Sequence, residues 1–121
     1  MNAHYQPVND GYQIIGSPGN RLFIATWANC PHWLSGGYTT PTGVTCQAIL
    51  SEYGNTIQFN YQNVFFANTK YDRGFSATVG LQDPTGTRGY LYSFNEAALS
   101  NYSSLLFVPP TSASSSWALY Q

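Results

Sequence analysis

Apolar and polar residues alternate with a period of two along most of the chain, the pattern of strands that bury one face. Leu22, Ile24 and Thr26 share one side of a segment whose other side is Phe23, Ala25 and Trp27. Val44, Cys46, Ala48 and Leu50 alternate with Thr45, Gln47 and Ile49, and Ile57, Phe59 and Tyr61 are interleaved with Gln58 and Asn60. The same rhythm places Phe75, Ala77, Val79 and Leu81 on one face, then Tyr90, Tyr92 and Phe94, Leu105 and Phe107, and finally Trp117 and Leu119. A weaker stretch from Tyr12 to Ile15 precedes them all. This periodicity assigns Trp27, Phe59 and Phe75 to the core. Only NEAAL, Asn95 to Leu99, has helical character, over about one turn.

Turn chemistry separates the runs. Glu52-Tyr53-Gly54-Asn55 joins two of them as a hairpin would, Asp83-Pro84-Thr85-Gly86 has the Pro and Gly placement of a type I turn, and Gly16 to Asn20 (GSPGN) breaks the chain before Arg21. Pro31 to Gly43 and Asn63 to Gly74 read as longer, functional-length loops. Short strands at this spacing predict an all-β fold, an antiparallel β-sandwich of jelly-roll type with about seven to nine strands, as a single domain over residues 1–121. Residues 110–116 (PTSASSS) read as a flexible spacer before a last strand. That strand either closes the sheet of its own chain or docks on another subunit.

Composition narrows the function. Nine of 121 residues are charged, a 7% share where about 25% is usual, while 17% are aromatic. A net charge of −1 with four cations cannot build a phosphate-neutralising face, so nucleic acid is not an expected partner. Abundant aromatics and low charge oppose disorder, and no apolar run approaches the ~20 residues of a membrane-spanning helix. The first residues, MNAHYQPVND, lack the basic start and apolar stretch of a signal peptide; the expectation is a mature or excised segment with an added Met, or a cytosolic chain.

Cys30 and Cys46 are the two cysteines. A disulfide between them would close a loop of ~15 intervening residues, a chain-entropy contribution of about 3 kcal/mol. The other reading is two free, partly buried thiols. The disulfide is favoured, and with it a secreted or cell-surface location.

Three stretches, taken in order, carry a resemblance. Gly16 to Trp27 is GSPGNRLFIATW, Cys46 to Tyr61 is CQAILSEYGNTIQFNY, and Ser76 to Asn95 is SATVGLQDPTGTRGYLYSFN, followed by LLFVPP. They resemble an extracellular β-sandwich module of bacterial secreted and surface adhesive proteins, whose pattern runs PNRxFxVxW, FQxxLYExGxIxFxY, ATVGIQxxxGTxGxxYSxN. The pattern is distantly similar to the nidogen-type extracellular domain. The likeness covers Gly16 to Pro110, with an extra Gly in Pro18-Gly19-Asn20-Arg21 and Cys46 in place of Phe. The resemblance implies a non-catalytic extracellular module beside other domains of a larger secreted protein. It carries no catalytic residue.

The residues agree on the absence of obvious catalysis. His4 lies near the terminus and His32 beside Pro31, neither with a sequence-evident nucleophile, and no pair among the five acids is placed for glycosidase work. No cofactor is implied, though Asn9-Asp10, or Asp72 with neighbouring carbonyls, leaves room for a single calcium ion. What remains is aromatic and amide chemistry suited to neutral sugars. His32, Trp33 and Tyr38 form one candidate ligand-binding cluster and Tyr71, Asp72 and Arg73 a second. Capping the end of the core is the favoured reading of Trp33 and Tyr38, with ligand contact as its alternative, and a structural ion pair at strand ends is favoured over a functional role for Arg21 and Glu52. The expected function is extracellular recognition or adhesion, with a glycan or a surface protein of another cell as partner. The alternative is an assembly subunit of a fibre or homo-oligomer that associates through its C-terminal strand.

Overall fold

The structure, a computed structural model, describes residues 10–112 and 116–121. His4 and Asn9 therefore lie outside the described residues, as does the middle of the 110–116 spacer. Among the described residues eight strands form two antiparallel sheets: β1 (Gly11–Ile15), β2 (Leu22–Leu34), β3 (Tyr38–Ser51), β4 (Ile57–Asn63), β5 (Thr78–Gln82), β6 (Gly89–Phe94), β7 (Ser103–Val108) and β8 (Ala118–Tyr120). The larger sheet has the order β1-β2-β3-β4-β7-β8, and β5-β6 is a separate hairpin. The sandwich is thus unequal, six strands against two. Its connectivity is a meander with one excursion into the second layer, simpler than a jelly roll's two Greek keys.

Register converts the alternation into rows across the large sheet. One row is Tyr12–Ala25–Ala48–Phe59–Leu105, the next Ile14–Phe23–Leu50–Ile57–Phe107–Leu119. Both lie on the face that β5-β6 covers, because the core cluster combines Leu105 and Phe107 with Val79, Leu81, Tyr90 and Tyr92. Phe107 is fully buried, with Phe59 edge-on at 5.3 Å and Tyr90 of the other layer at 5.8 Å.

Cover is partial. On the β4-β7-β8 side the rows are dry, but Tyr12, Ile14, Phe23, Trp27 and Leu50 on β1-β2-β3 are exposed. Trp27 is 40% and Phe75 48% exposed, so these two are not core residues as the periodicity suggested. Trp27 lies beyond the reach of the second layer, and Phe75 precedes β5, which begins at Thr78.

Two further expectations change. Most of Pro31 to Gly43 is strand, because β2 and β3 continue past an irregularity between Trp27 and Cys30 and pair as far as Leu34↔Tyr38. Asn95 to Leu99 forms no helix; Asn95 takes a positive φ of 49°, and its N–H and that of Leu99 bond to the distant carbonyls of Ala77 and Arg73. Finally, β8 pairs with β7 of its own chain, so the last strand closes its own sheet.

Candidate functional site

The β2–β3 hairpin projects beyond the sandwich, and its tip turns at Ser35-Gly36-Gly37. Trp33 is opposite Thr39 and Leu34 opposite Tyr38, so the Trp33 and Tyr38 rings rise from opposite faces of the ribbon. Both are exposed, by 67% and 66%, which rules out a capping role for either.

Below the tip lies a cavity of about 240 Å³ bounded by His32, Val44, Cys46, Tyr61, Phe66, Tyr71, Ser76 and Val79, among others. The His32 ring forms one wall: it stacks on Tyr71 at 3.9 Å and meets the Phe66 edge at 5.5 Å. Its Nδ1 donates to the Trp33 carbonyl at 2.7 Å, since a carbonyl can only accept. In the neutral ring that leaves Nε2 to accept from the Ser76 hydroxyl at 3.4 Å. A hydroxyl, an imidazole and a carbonyl lie in line as in a nucleophile triad, but a neutral carbonyl occupies the place where a carboxylate would stabilise an imidazolium. The arrangement orients the His32 ring.

The segment between β4 and β5 supplies the far wall. Asp72 Oδ1 accepts the N–H groups of Phe66 at 2.7 Å and Asn68 at 3.2 Å. Arg73, at a φ of 59°, donates its Nε to the Leu99 carbonyl at 2.9 Å, and its N–H to the Val64 carbonyl at 2.7 Å. Asp72 and Arg73 thus hold the loop that carries Tyr71, and their groups are engaged with the protein's own backbone. The structure brings His32 and Tyr71 together, places Trp33 and Tyr38 above them on opposite faces, and sets Asp72 and Arg73 behind. Sequence reasoning missed Phe66, Ser76, Cys46 and Tyr61 as wall residues; the Phe65-Phe66 pair within a polar insertion was the available signal.

Cys30 and Cys46 are both free thiols, and the favoured disulfide is not formed. Cys46 stands opposite Trp27 and Cys30 opposite Val44, with the β-bulge between, so the two are diagonal rather than facing. Cys30 Sγ instead donates to Asp10 Oδ1 at 3.3 Å. Burial first, then the Asp10 carboxylate, pushes the Cys30 thiol up to about 11. Burial also raises Cys46 and, more strongly, the Tyr61 phenol. Both sulfurs are therefore protonated near neutrality. Of the carboxylates considered for calcium, Asp10 faces this thiol and Asp72 faces backbone N–H groups.

At the opposite end Arg21 and Glu52 form the expected ion pair. Glu52 Oε1 accepts from Arg21 Nη2 at 2.8 Å, while Oε2 accepts from Arg21 Nε and from the N–H groups of Gly19 and Arg21. These donors, the Arg21 side chain foremost, hold the Glu52 carboxyl down to about 2.

Comparison with known proteins gives one finding. The family model described as NIDO related matches residues 5–116. No curated protein and no solved structure matches the chain.

Proposed function

From its membership of the NIDO-related family, which the chain shows over nearly its whole length, we infer that this protein is a non-catalytic extracellular recognition module that binds neutral glycans. The family membership supports the extracellular setting. The composition supports the ligand class, because polarity carried by amides and hydroxyls suits sugar hydroxyls better than phosphates or sulfates.

One observation carries the reading. Trp33 and Tyr38 stand 67% and 66% exposed on a hairpin whose His32 lines an apolar cavity together with Ser76. A ring held in water on a rigid arm offers a flat stacking surface to the apolar face of a sugar at little ordering cost. The cavity, about 240 Å³, is below the usual range for a drug-sized ligand, roughly 300–1,000 Å³, and suits one inserted group of a longer ligand. In a surface protein such a module serves adhesion to another cell.

The test is retention on a glycan array by the wild-type chain and by Trp33→Ala and Tyr38→Ala. Selective binding that falls by about tenfold or more in one variant, at a stability within about 0.5 kcal/mol of wild type, is expected. An array that retains no wild-type protein, or variants that bind as wild type does, would overturn the reading.

A further inference from the structure

The uncovered half of the sandwich fits a second copy of this chain, and we propose that the protein forms a two-fold dimer there. On the core-facing side of β1-β2-β3, Tyr12 is 74%, Ile14 61%, Leu50 46%, Trp27 40% and Phe23 36% exposed, with Ala25 and Ala48 between them in the same rows. Tyr12 and Phe23 already stack on each other at 5.7 Å. From ring areas of about 150–250 Å² each, this surface offers roughly 400–500 Å² of apolar contact per copy. That reaches the upper range for a patch on a typical monomer, about 300–600 Å². Doubled, it approaches the roughly 1,000 Å² that a specific interface needs, before any contribution from strand edges.

The shape of the notch selects the occupant. Val79 of β5 lines the cavity with Val44 and Cys46 of β3, whereas Tyr90 of β6 contacts Phe107 of β7. Strand β5 therefore lies on the β3 side of the second layer, and its unpaired edge faces the open half. The step is one layer deep, about 10 Å, which is the thickness of a second β1-β2-β3 half-sheet. Seated about a two-fold axis over β2, each copy's half-sheet completes the other's missing layer. Among the described residues nothing pairs with the outer edges of β1 and β5, and the β1 edge of one copy then lies beside the β5 edge of the other.

Charge agrees with this occupant. None of the eight strands contains an Asp, Glu, Lys or Arg, the residues by which edges commonly repel pairing. Two identical faces without charge meet without repulsion. The surface is separate from the Trp33–Tyr38 tip, so this proposal does not rest on the glycan reading.

The experiment is sedimentation equilibrium of the full 121-residue chain from low micromolar to near-millimolar concentration, with Ile14→Asp and Tyr12→Lys on the open face and Tyr102→Asp as a distant control. The expected result is a concentration-dependent dimer, weakened on the order of a hundredfold or more by either face variant through an unpaired charge at the contact. Tyr102→Asp leaves it intact, and both face variants keep the wild-type circular dichroism and melting temperature at low concentration. A wild-type chain that stays monomeric throughout overturns the proposal. So does a dimer indifferent to Ile14→Asp and Tyr12→Lys.

Discussion

Phe107 and Phe23 offer a controlled comparison, because the same residue type stands twice in one cross-strand row under opposite cover. Phe107 is 0% exposed and bridges the layers, with edge-to-face partners in Phe59 and Tyr90. Truncation to Ala removes a ring that neither water nor a neighbour can replace. Transfer plus cavity terms put the cost at about 3–5 kcal/mol, including two aromatic pairs at about 0.5–1.5 kcal/mol each. Phe23 is 36% exposed and stacks on Tyr12 of its own sheet, so Phe23→Ala leaves a groove that solvent fills. Without a cavity term the cost is about 1–2 kcal/mol. Urea denaturation of both variants at the same low micromolar concentration reads the difference directly. If Phe23→Ala costs as much as Phe107→Ala, the core extends under β2 and the half-covered architecture is wrong. Since a domain of this kind has about 5–15 kcal/mol in total, failure of Phe107→Ala to fold would still support the reasoning, provided that Phe23→Ala folds.

Acid titration and thiol chemistry supply further expectations. Glu52 is held at about 2 against an ordinary 4.5; a depressed carboxyl stabilises above its unfolded value and loses that contribution as pH falls. Glu52→Gln should therefore flatten the decline of melting temperature between pH 4.5 and 2 and lower the melting temperature at pH 7; an unchanged acid limb would show the pair to be inert. Both thiols are raised, Cys30 to about 11, so at pH 7.5 folded protein should react with iodoacetamide at least about tenfold more slowly than urea-unfolded protein. Equal rates would contradict the Cys30–Asp10 contact and the burial of Cys46.

Much of the fold was legible because a period of two is a local property. Ile57, Phe59 and Tyr61 announce β4 unaided, and the Asp83–Gly86 turn closes with the Gly86 N–H on the Asp83 carbonyl as its composition requires. The stretch from Pro31 to Gly43 reads as a loop because Pro and Gly are breakers in isolation. Here Pro31 sits beside a bulge, where the sheet tolerates a missing donor. NEAAL has helix formers but only one turn of them, too few to repay nucleation. Which half of the sheet is covered could not be read at all, since Phe23 and Phe107 occupy the same kind of alternating position. The pocket has the same difficulty: His32 and Tyr71 meet only because Asp72 and Arg73 fold the intervening chain back.

The irregularity in β2 acts as a mechanical joint. Asn29 adopts a positive φ of 55°, its N–H donates to Thr45 Oγ1, and its Oδ1 accepts the Gly43 N–H, while Asn63 Nδ2 grips the Gly43 carbonyl. A Cβ on Gly43 would lie 2.3 Å from the Asn29 carbonyl carbon, so the two strands touch there closer than side chains permit. The ribbon beyond is thus an arm whose angle is set by amide bonds at one elbow and braced further out by the His32 stack on Tyr71 and Phe66. A tug on Trp33 reaches the sheet through that elbow and that stack, so a load applied at the tip would strain the His32 contacts and the Asn29–Gly43–Asn63 bonds before it disturbs the buried Leu105 and Phe107 of β7.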